Sequence, residues 1–227
     1  MSNACRKILA TVWPVCFGYI PLGMACGVFA QKSGMRLEEL VGLCLILYAG
    51  SGQFISIAMM MQAASVFSIV LTVFVVNLRH FLFSSSLLKY LQKKPPRFLA
   101  VYAHQTTDES FAVNLTAFER GDWTPEEAIR VNFIAHFAWT ASNIAGFIGA
   151  GFIHVDTQLV GYALTAMFIG LWSFYLSNWR MIASGVCAGL LAVVFSLFVG
   201  YKLHIVLAAL LGSALLACQE HRFVRED

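Results

Sequence analysis

Arg79 stands well inside a stretch, Ser65 to Leu88, that is otherwise apolar or neutral apart from the adjacent His80. An ionisable side chain at membrane depth costs about 2.5 to 3.5 kcal/mol even on the most lenient insertion scale, so it persists only with a partner or a task. Of the 15 basic and 12 acidic residues, only Arg79, Asp108 and Glu109 fall well inside apolar stretches. The others lie in loops, tails or near the ends of those stretches. An arginine with two carboxylates carries one net negative charge, or none when one carboxylate holds a proton. The plainer reading is an ion pair that only fastens helices together. That reading is weakened because apolar residues would fasten helices as well or better than a buried pair.

Several neutral groups extend the set. Thr106-Thr107-Asp108-Glu109 has the T-x-x-E form of a capping box in mid-span, which predicts a half-helix starting there with Asp108 and Glu109 in its first turn. The helix dipole then favours their charged forms while burial opposes them, a balance suited to a proton carrier. His104 and Gln105 precede this segment. Tyr48-Ala49-Gly50-Ser51-Gly52-Gln53-Phe54 sets two glycines around Ser51, predicting an unwound turn beside a cavity or, equally, close helix packing. Gln53 needs partners in lipid, and it can donate to a carboxylate while accepting from an ammonium. Asn77 and His80 flank Arg79 on its own span. Gly23 and Gly27 share the spacing of helix-packing glycines, as do Gly185 and Gly189. His136, Trp139 and Asn143 form one polar-aromatic face, best explained as satisfied by a neighbouring helix.

The elements that must position these groups are membrane helices. The chain is 59% hydrophobic and 12% charged, against about 25% charged in soluble domains. A crossing takes roughly 20 apolar residues, and the candidate spans are Ile8–Ala30, Leu40–Met61, Ser65–Leu88, Phe98–Phe118, Ala128–Phe152, Leu159–Ser177, Met181–Tyr201 and Leu203–Cys218. The expected fold is all-α: a polytopic membrane helix bundle of seven or eight transmembrane segments, some broken or re-entrant, forming a single domain over residues 1–227. The first span, with Arg6 and Lys7 before it, is read as a membrane helix and not a removed leader, because Trp13, Pro14 and Pro21 interrupt it and no small-x-small site follows. Thr124, Pro125 and Glu127 predict a capped helix start. The loop from Glu119 to Arg130 divides the chain into two similar lengths and has the position of a hinge between two structural repeats.

Orientation is contradictory in the sequence. Lys89, Lys93, Lys94 and Arg97 should be cytoplasmic, and so should Arg6 and Lys7, yet three full crossings between them forbid it. Either the Gly50–Gln53 region turns back as a re-entrant element, or the N-terminal pair is too weak to count. The net charge of +3 and its loop placement do not indicate a nucleic-acid surface. The six scattered cysteines contain no CxxC pair and read as packing residues, not metal ligands. No HExxH, G-x-S-x-G or Walker loop is present, so no catalytic or cofactor signature points to an enzyme.

Gly18-Tyr19-Ile20-Pro21 with Gly23 and Gly27, then Tyr48 to Phe54, then Asn77-Leu78-Arg79-His80, then Thr107-Asp108-Glu109-Ser110-Phe111-Ala112 resemble, in order and spacing, the large subunit of the azaleucine-resistance (AzlC-type) branched-chain amino acid exporters of bacteria. These motifs cover the first half. From about Ala128 onward only hydropathy and length match. Many relatives have alanine in place of Ser51 or Gly52 and tyrosine in place of Phe83. The resemblance implies an inner-membrane, multi-pass exporter of valine, leucine and isoleucine, with methionine as a further candidate. It also implies a separate small hydrophobic membrane subunit (AzlD-like) and secondary transport driven by protons.

Physical chemistry and resemblance together predict a substrate site of Arg79, Gln53, Ser51, Asn77, Asp108 and Glu109. Proton coupling is expected at Asp108, Glu109 or His80. The substrate's apolar side chain would rest against residues such as Phe54 and Phe111. The alternatives are an assembly subunit whose charges dock the small partner, and a membrane enzyme using His80 or His104.

Overall fold

The computed structural model describes residues 3–152, 169, 179–197 and 211. All regular structure among them is α-helical. The chain divides into two compact units, Met1–Leu164 and Thr165–Asp227. The first contains α1 (Asn3–Lys32), α2 (Leu37–Ile46), α3 (Gly50–Met61), α4 (Val66–Leu91), α5 (Pro96–His104), α6 (Asp108–Glu119) and α7 (Pro125–Gly149). The second contributes α8 (Trp179–Ser196), which falls on the expected seventh span. The sixth and eighth expected spans, and most of any second repeat beyond Glu119–Arg130, lie outside the described residues.

Local signals account for most helix starts. Ser65 caps α4 by accepting from the Ser68 amide at 3.2 Å. Thr124 and Glu127 form the expected capping box at α7, with Pro125 in the first turn. α1 and α4 are long and apolar enough to cross a membrane. Their outer faces carry Trp13, Phe17, Val66, Phe67, Phe74 and Phe81, each more than 60% exposed, a surface that suits lipid and not water.

The direction of each helix follows from contacts at its ends. Lys7, near the start of α1, donates to the Asp122 carbonyl just before α7, and Lys32 at the end of α1 donates to the Ala150 carbonyl at 3.2 Å, so α1 and α7 run parallel. They pack through glycine. A methyl group at Gly27 would overlap the Asn143 carbonyl, and one at Gly146 would overlap the Met24 backbone. The packing reading of Gly23 and Gly27 therefore describes what the helices do. The end of α4 lies beside the start of α7, where Lys94 pairs with Glu126 and Tyr90 stacks on Phe118 at 4.9 Å. α4 is accordingly antiparallel to α1 and α7.

These directions settle the course of the helix pairs between them. α2 follows α1 after a four-residue turn, 33–36, in which Gly34 takes a φ of 82°. α3 leads by the short turn 62–65 into the far end of α4, which at 26 residues is about 39 Å long. The α2–α3 pair thus enters and leaves at the same end of the unit. α5 and α6 form a second such pair from the opposite end, since α5 follows α4 after residues 92–95 and α6 leads through residues 120–124 into α7. Each of the four helices is about 13 to 18 Å long, half of what a bilayer crossing needs. The series long helix, four-residue turn, broken hairpin thus occurs twice with opposite direction within residues 3–119.

Candidate functional site

The tips of the two hairpins meet. His104 Nε2 lies 2.9 Å from the Ile46 carbonyl. His136 of α7 bridges them, with Nδ1 2.9 Å from Gln105 Oε1 and Nε2 3.0 Å from the Cys44 carbonyl. Both half-helices that begin at the tips, α3 and α6, therefore present their N-terminal turns to the interior of the unit.

The break in the first hairpin spans residues 47–49, before the glycines and not at them. Tyr48 has a left-handed φ of 38°, strained for a bulky residue, and its ring stacks on His136 with centroids 3.8 Å apart. Gly50-Ser51-Gly52-Gln53 form the first turn of α3. Their small size serves close approach, since a Cβ on Gly50 would sit 3.1 Å from the Trp139 ring and one on Gly52 3.1 Å from Asn77 Nδ2. The N-cap of α3 is Ala49, which has no side-chain oxygen to offer the first-turn amides.

The second break follows the sequence reading with its register moved by one. α6 begins at Asp108, but its cap is Thr107, which accepts from the Ser110 amide at 3.3 Å while the Ser110 hydroxyl accepts from the Thr107 amide at 2.9 Å. Thr106 instead donates back to the Tyr102 carbonyl at 2.8 Å. Ser110 competes successfully for the role expected of Glu109, leaving Glu109 free to face α1. Asp108 and Glu109 are in the first turn, as expected.

Arg79 joins the two half-helices. Its Nη2 donates to Ser51 Oγ of α3 at 2.5 Å and sits 3.1 Å from Asp108 Oδ2 of α6. The two side chains are 26% and 19% exposed, and Arg79 Nε is buried with no hydrogen-bond partner among the described residues. Asn77, two residues earlier, lies against Gly52, and its Oδ1 also lacks a partner. Glu109 turns from Arg79 toward α1, where Tyr19 donates to Oε2 at 2.8 Å. Gln53 is fully buried and occupied: Oε1 accepts from Trp139 Nε1 at 2.6 Å, and Nε2 is 3.2 Å from Cys44 Sγ. His80 stacks beside Phe83, 6.2 Å between centroids, and its Nε2 is buried without a partner among the described residues. Phe111 stacks on Phe83 at 4.6 Å, and Phe54 is buried against Phe29. His136 and Trp139 are satisfied by groups outside their own helix, as expected, whereas Asn143 Nδ2 donates within it to the Trp139 carbonyl at 2.9 Å and its Oδ1 has no partner among the described residues.

Sequence reasoning missed Tyr19 and Tyr48. Tyr19 stood inside a motif read for its glycines and proline, and its distance of 90 residues from Glu109 left no local signal. Tyr48 adopts a backbone conformation that the neighbouring glycines would have been expected to supply.

A helical membrane protein with two broken hairpins meeting around a partly buried ion pair is the class that fold and site define, and the relatives are membrane proteins. The chain belongs to the AzlC family: the family model described as AzlC protein matches residues 14–153. The inner membrane protein YgaZ of Escherichia coli is 30% identical over 175 residues, 74% of this chain and 70% of that protein. The branched-chain amino acid transport protein AzlC of Bacillus subtilis is 25% identical over 172 residues, 73% and 65% of the two chains. A membrane protein of Helicobacter pylori is 28% identical over 210 residues, 88% and 91%. No solved structure matches.

Proposed function

We propose that this chain is the large subunit of a secondary exporter that moves branched-chain amino acids out of the cell by proton antiport. The observation that carries the reading is Arg79 held between the first turns of two half-helices, bonded to Ser51 on one and paired with Asp108 on the other. A substrate carboxylate would take one arm of the guanidinium, beside the uncapped amides of α3, while Asp108 turns to the ammonium. Ser51, Gln53 and Asn77 supply neutral hydrogen bonds, Gln53 after release from Trp139, and the apolar side chain rests toward Phe54 and Phe111. Asp108, Glu109 and His80 are the candidates for proton coupling. The transport relative in Bacillus subtilis supports the substrate class.

The site belongs to one integral membrane domain over residues 1–227, in the bacterial inner membrane and crossing it several times, with a small hydrophobic AzlD-like subunit as partner. The end of the first unit that holds Lys7 carries Arg6, Lys7, Lys89, Lys93, Lys94, Arg97, Arg120 and Arg130, against Lys32 and Arg36 at the other. The basic excess assigns that end to the cytoplasm. A re-entrant α2–α3 pair is consistent with both basic clusters on one side, because only α1 and α4 then cross between them.

Labelled-leucine efflux from cells with and without the chain and its partner subunit tests the reading. Export that depends on both is expected, and efflux unchanged by the chain overturns it.

A further inference from the structure

Asp108 and Glu109 are adjacent at the start of α6, and successive helical residues point about 100° apart. They consequently serve different neighbours: Asp108 meets Arg79 of α4, and Glu109 meets Tyr19 of α1. Tyr19 is 4% exposed, and its ring meets Trp139 edge-on at 5.2 Å between centroids. Its hydroxyl oxygen lies 2.8 Å from Glu109 Oε2 and 2.8 Å from Thr107 Oγ1. A phenol has a single proton to donate but can also accept. It can give that proton to only one of these oxygens at a time.

We propose that Tyr19 is a positioning residue for a proton carried by Glu109, its hydroxyl reversing direction with the state of the carboxyl. With Glu109 ionised, Tyr19 donates to Oε2 and accepts from the Thr107 hydroxyl. When Glu109 takes a proton from water, the new O–H donates to the Tyr19 oxygen, and Tyr19 donates to Thr107 Oγ1. Loss of that proton to water on the other side restores the first arrangement, so no further reactant is consumed. Thr107 is the N-cap of α6, so the switch reaches the first turn that also holds Asp108. The substrate-binding pair and the proton carrier are then separate groups coupled through one helix start.

The groups around Glu109 are few. Asp108 lies on its own helix, Tyr19 on α1 and Tyr48 in the break between α2 and α3. Arg79 of α4 pairs with Asp108, and His136 of α7 is held by Gln105 and the Cys44 carbonyl. This inference rests on the proton-coupled reading of the site.

The test is leucine efflux from vesicles containing the chain and its partner subunit, measured against pH and with an imposed pH gradient. Tyr19→Phe keeps the ring against Trp139 and removes only the hydroxyl. It is expected to displace the rate–pH profile by about one unit toward alkaline pH, since the charged carboxylate loses a donor, with KM for leucine unchanged. Glu109→Gln, which still accepts from Tyr19, is expected to lose the response of efflux to the gradient. Wild-type efflux indifferent to the gradient would sink the antiport reading itself. A gradient-driven wild type with an unaltered Tyr19→Phe profile, or a Glu109→Gln protein that still responds to the gradient, would overturn the inference alone. If Tyr19→Phe yields no folded protein, the Glu109→Gln measurement decides.

Discussion

At the residue scale, Arg79 is defined by its two contacts. Removing it leaves the partly buried Asp108 without its countercharge, and breaking a pair from one side costs more the deeper it lies. Arg79→Ala is expected to insert normally yet lower initial leucine efflux at least about tenfold, equivalent to roughly 1.4 kcal/mol of lost interaction. Normal export by that variant would remove Arg79 from the site. The exchanged pair, Arg79→Asp with Asp108→Arg, separates binding from mere fastening. A fastening pair keeps activity when its charges are swapped, whereas a pair that grips a zwitterion does not, because the guanidinium is displaced from Ser51 and the first turn of α3. Arg79 and the two acids were legible in the sequence as costly charges. The division of labour between the acids was not, because it depends on the angle at which each leaves α6.

At the element scale, the two broken hairpins carry the site, and their breaks rest on different chemistry. α6 starts on a side-chain cap, so Thr107→Ala should lower stability by about 1 kcal/mol, in the usual range for a lost cap, and Thr107→Ser should retain most of it. Thermal unfolding of the purified protein reads both. The α2–α3 break lacks such a cap and depends on Tyr48 stacked against His136. The long helices depend on close approach instead. Gly27→Val would force α1 from α7, where no space exists for a side chain, and overpacking of this kind costs about 1 to 3 kcal/mol or more. Loss of a monodisperse folded species in detergent is the expected result. A stable, active Gly27→Val protein would contradict the α1–α7 contact. The cap at Thr124 was readable because it is local, and so was a helix start before Asp108, although the cap there is Thr107 where Thr106 was expected and Ser110 took the place expected of Glu109.

For the whole molecule, the sharpest prediction concerns sidedness. In a cysteine-free background, single cysteines at Ser33 and Ala63 should label from the periplasmic side, and those at Lys93 and Asp122 from the cytoplasmic side. Labelling of Ser33→Cys and Ala63→Cys from opposite sides would show that α2–α3 crosses fully and would rule out the paired re-entrant arrangement. The Lys94–Glu126 contact provides a second check, since cysteines at these positions should cross-link on oxidation. Glu126 is held below its ordinary range by the Lys94 ammonium and by backbone donation at the start of α7. A lowered folded-state value means that this contact is present at neutral pH and is lost as pH falls through it.

By itself, the sequence determined that the chain is helical and lives in a membrane, because span length and charge depletion are properties of composition that no packing can reverse. It also determined which residues were too costly to be incidental, and it marked a helix start near Asp108, while leaving a break and close packing equal at the glycines around Ser51. Only the tertiary structure decided that the interrupted helices fold back as hairpins, because direction is recorded in contacts such as Lys7 with Asp122 and Lys94 with Glu126, between residues 32 to 115 positions apart. Tyr19 meets Glu109 for the same reason. A hydrogen bond between distant parts of a chain leaves no periodicity or motif behind, so it exists only once the helices have packed.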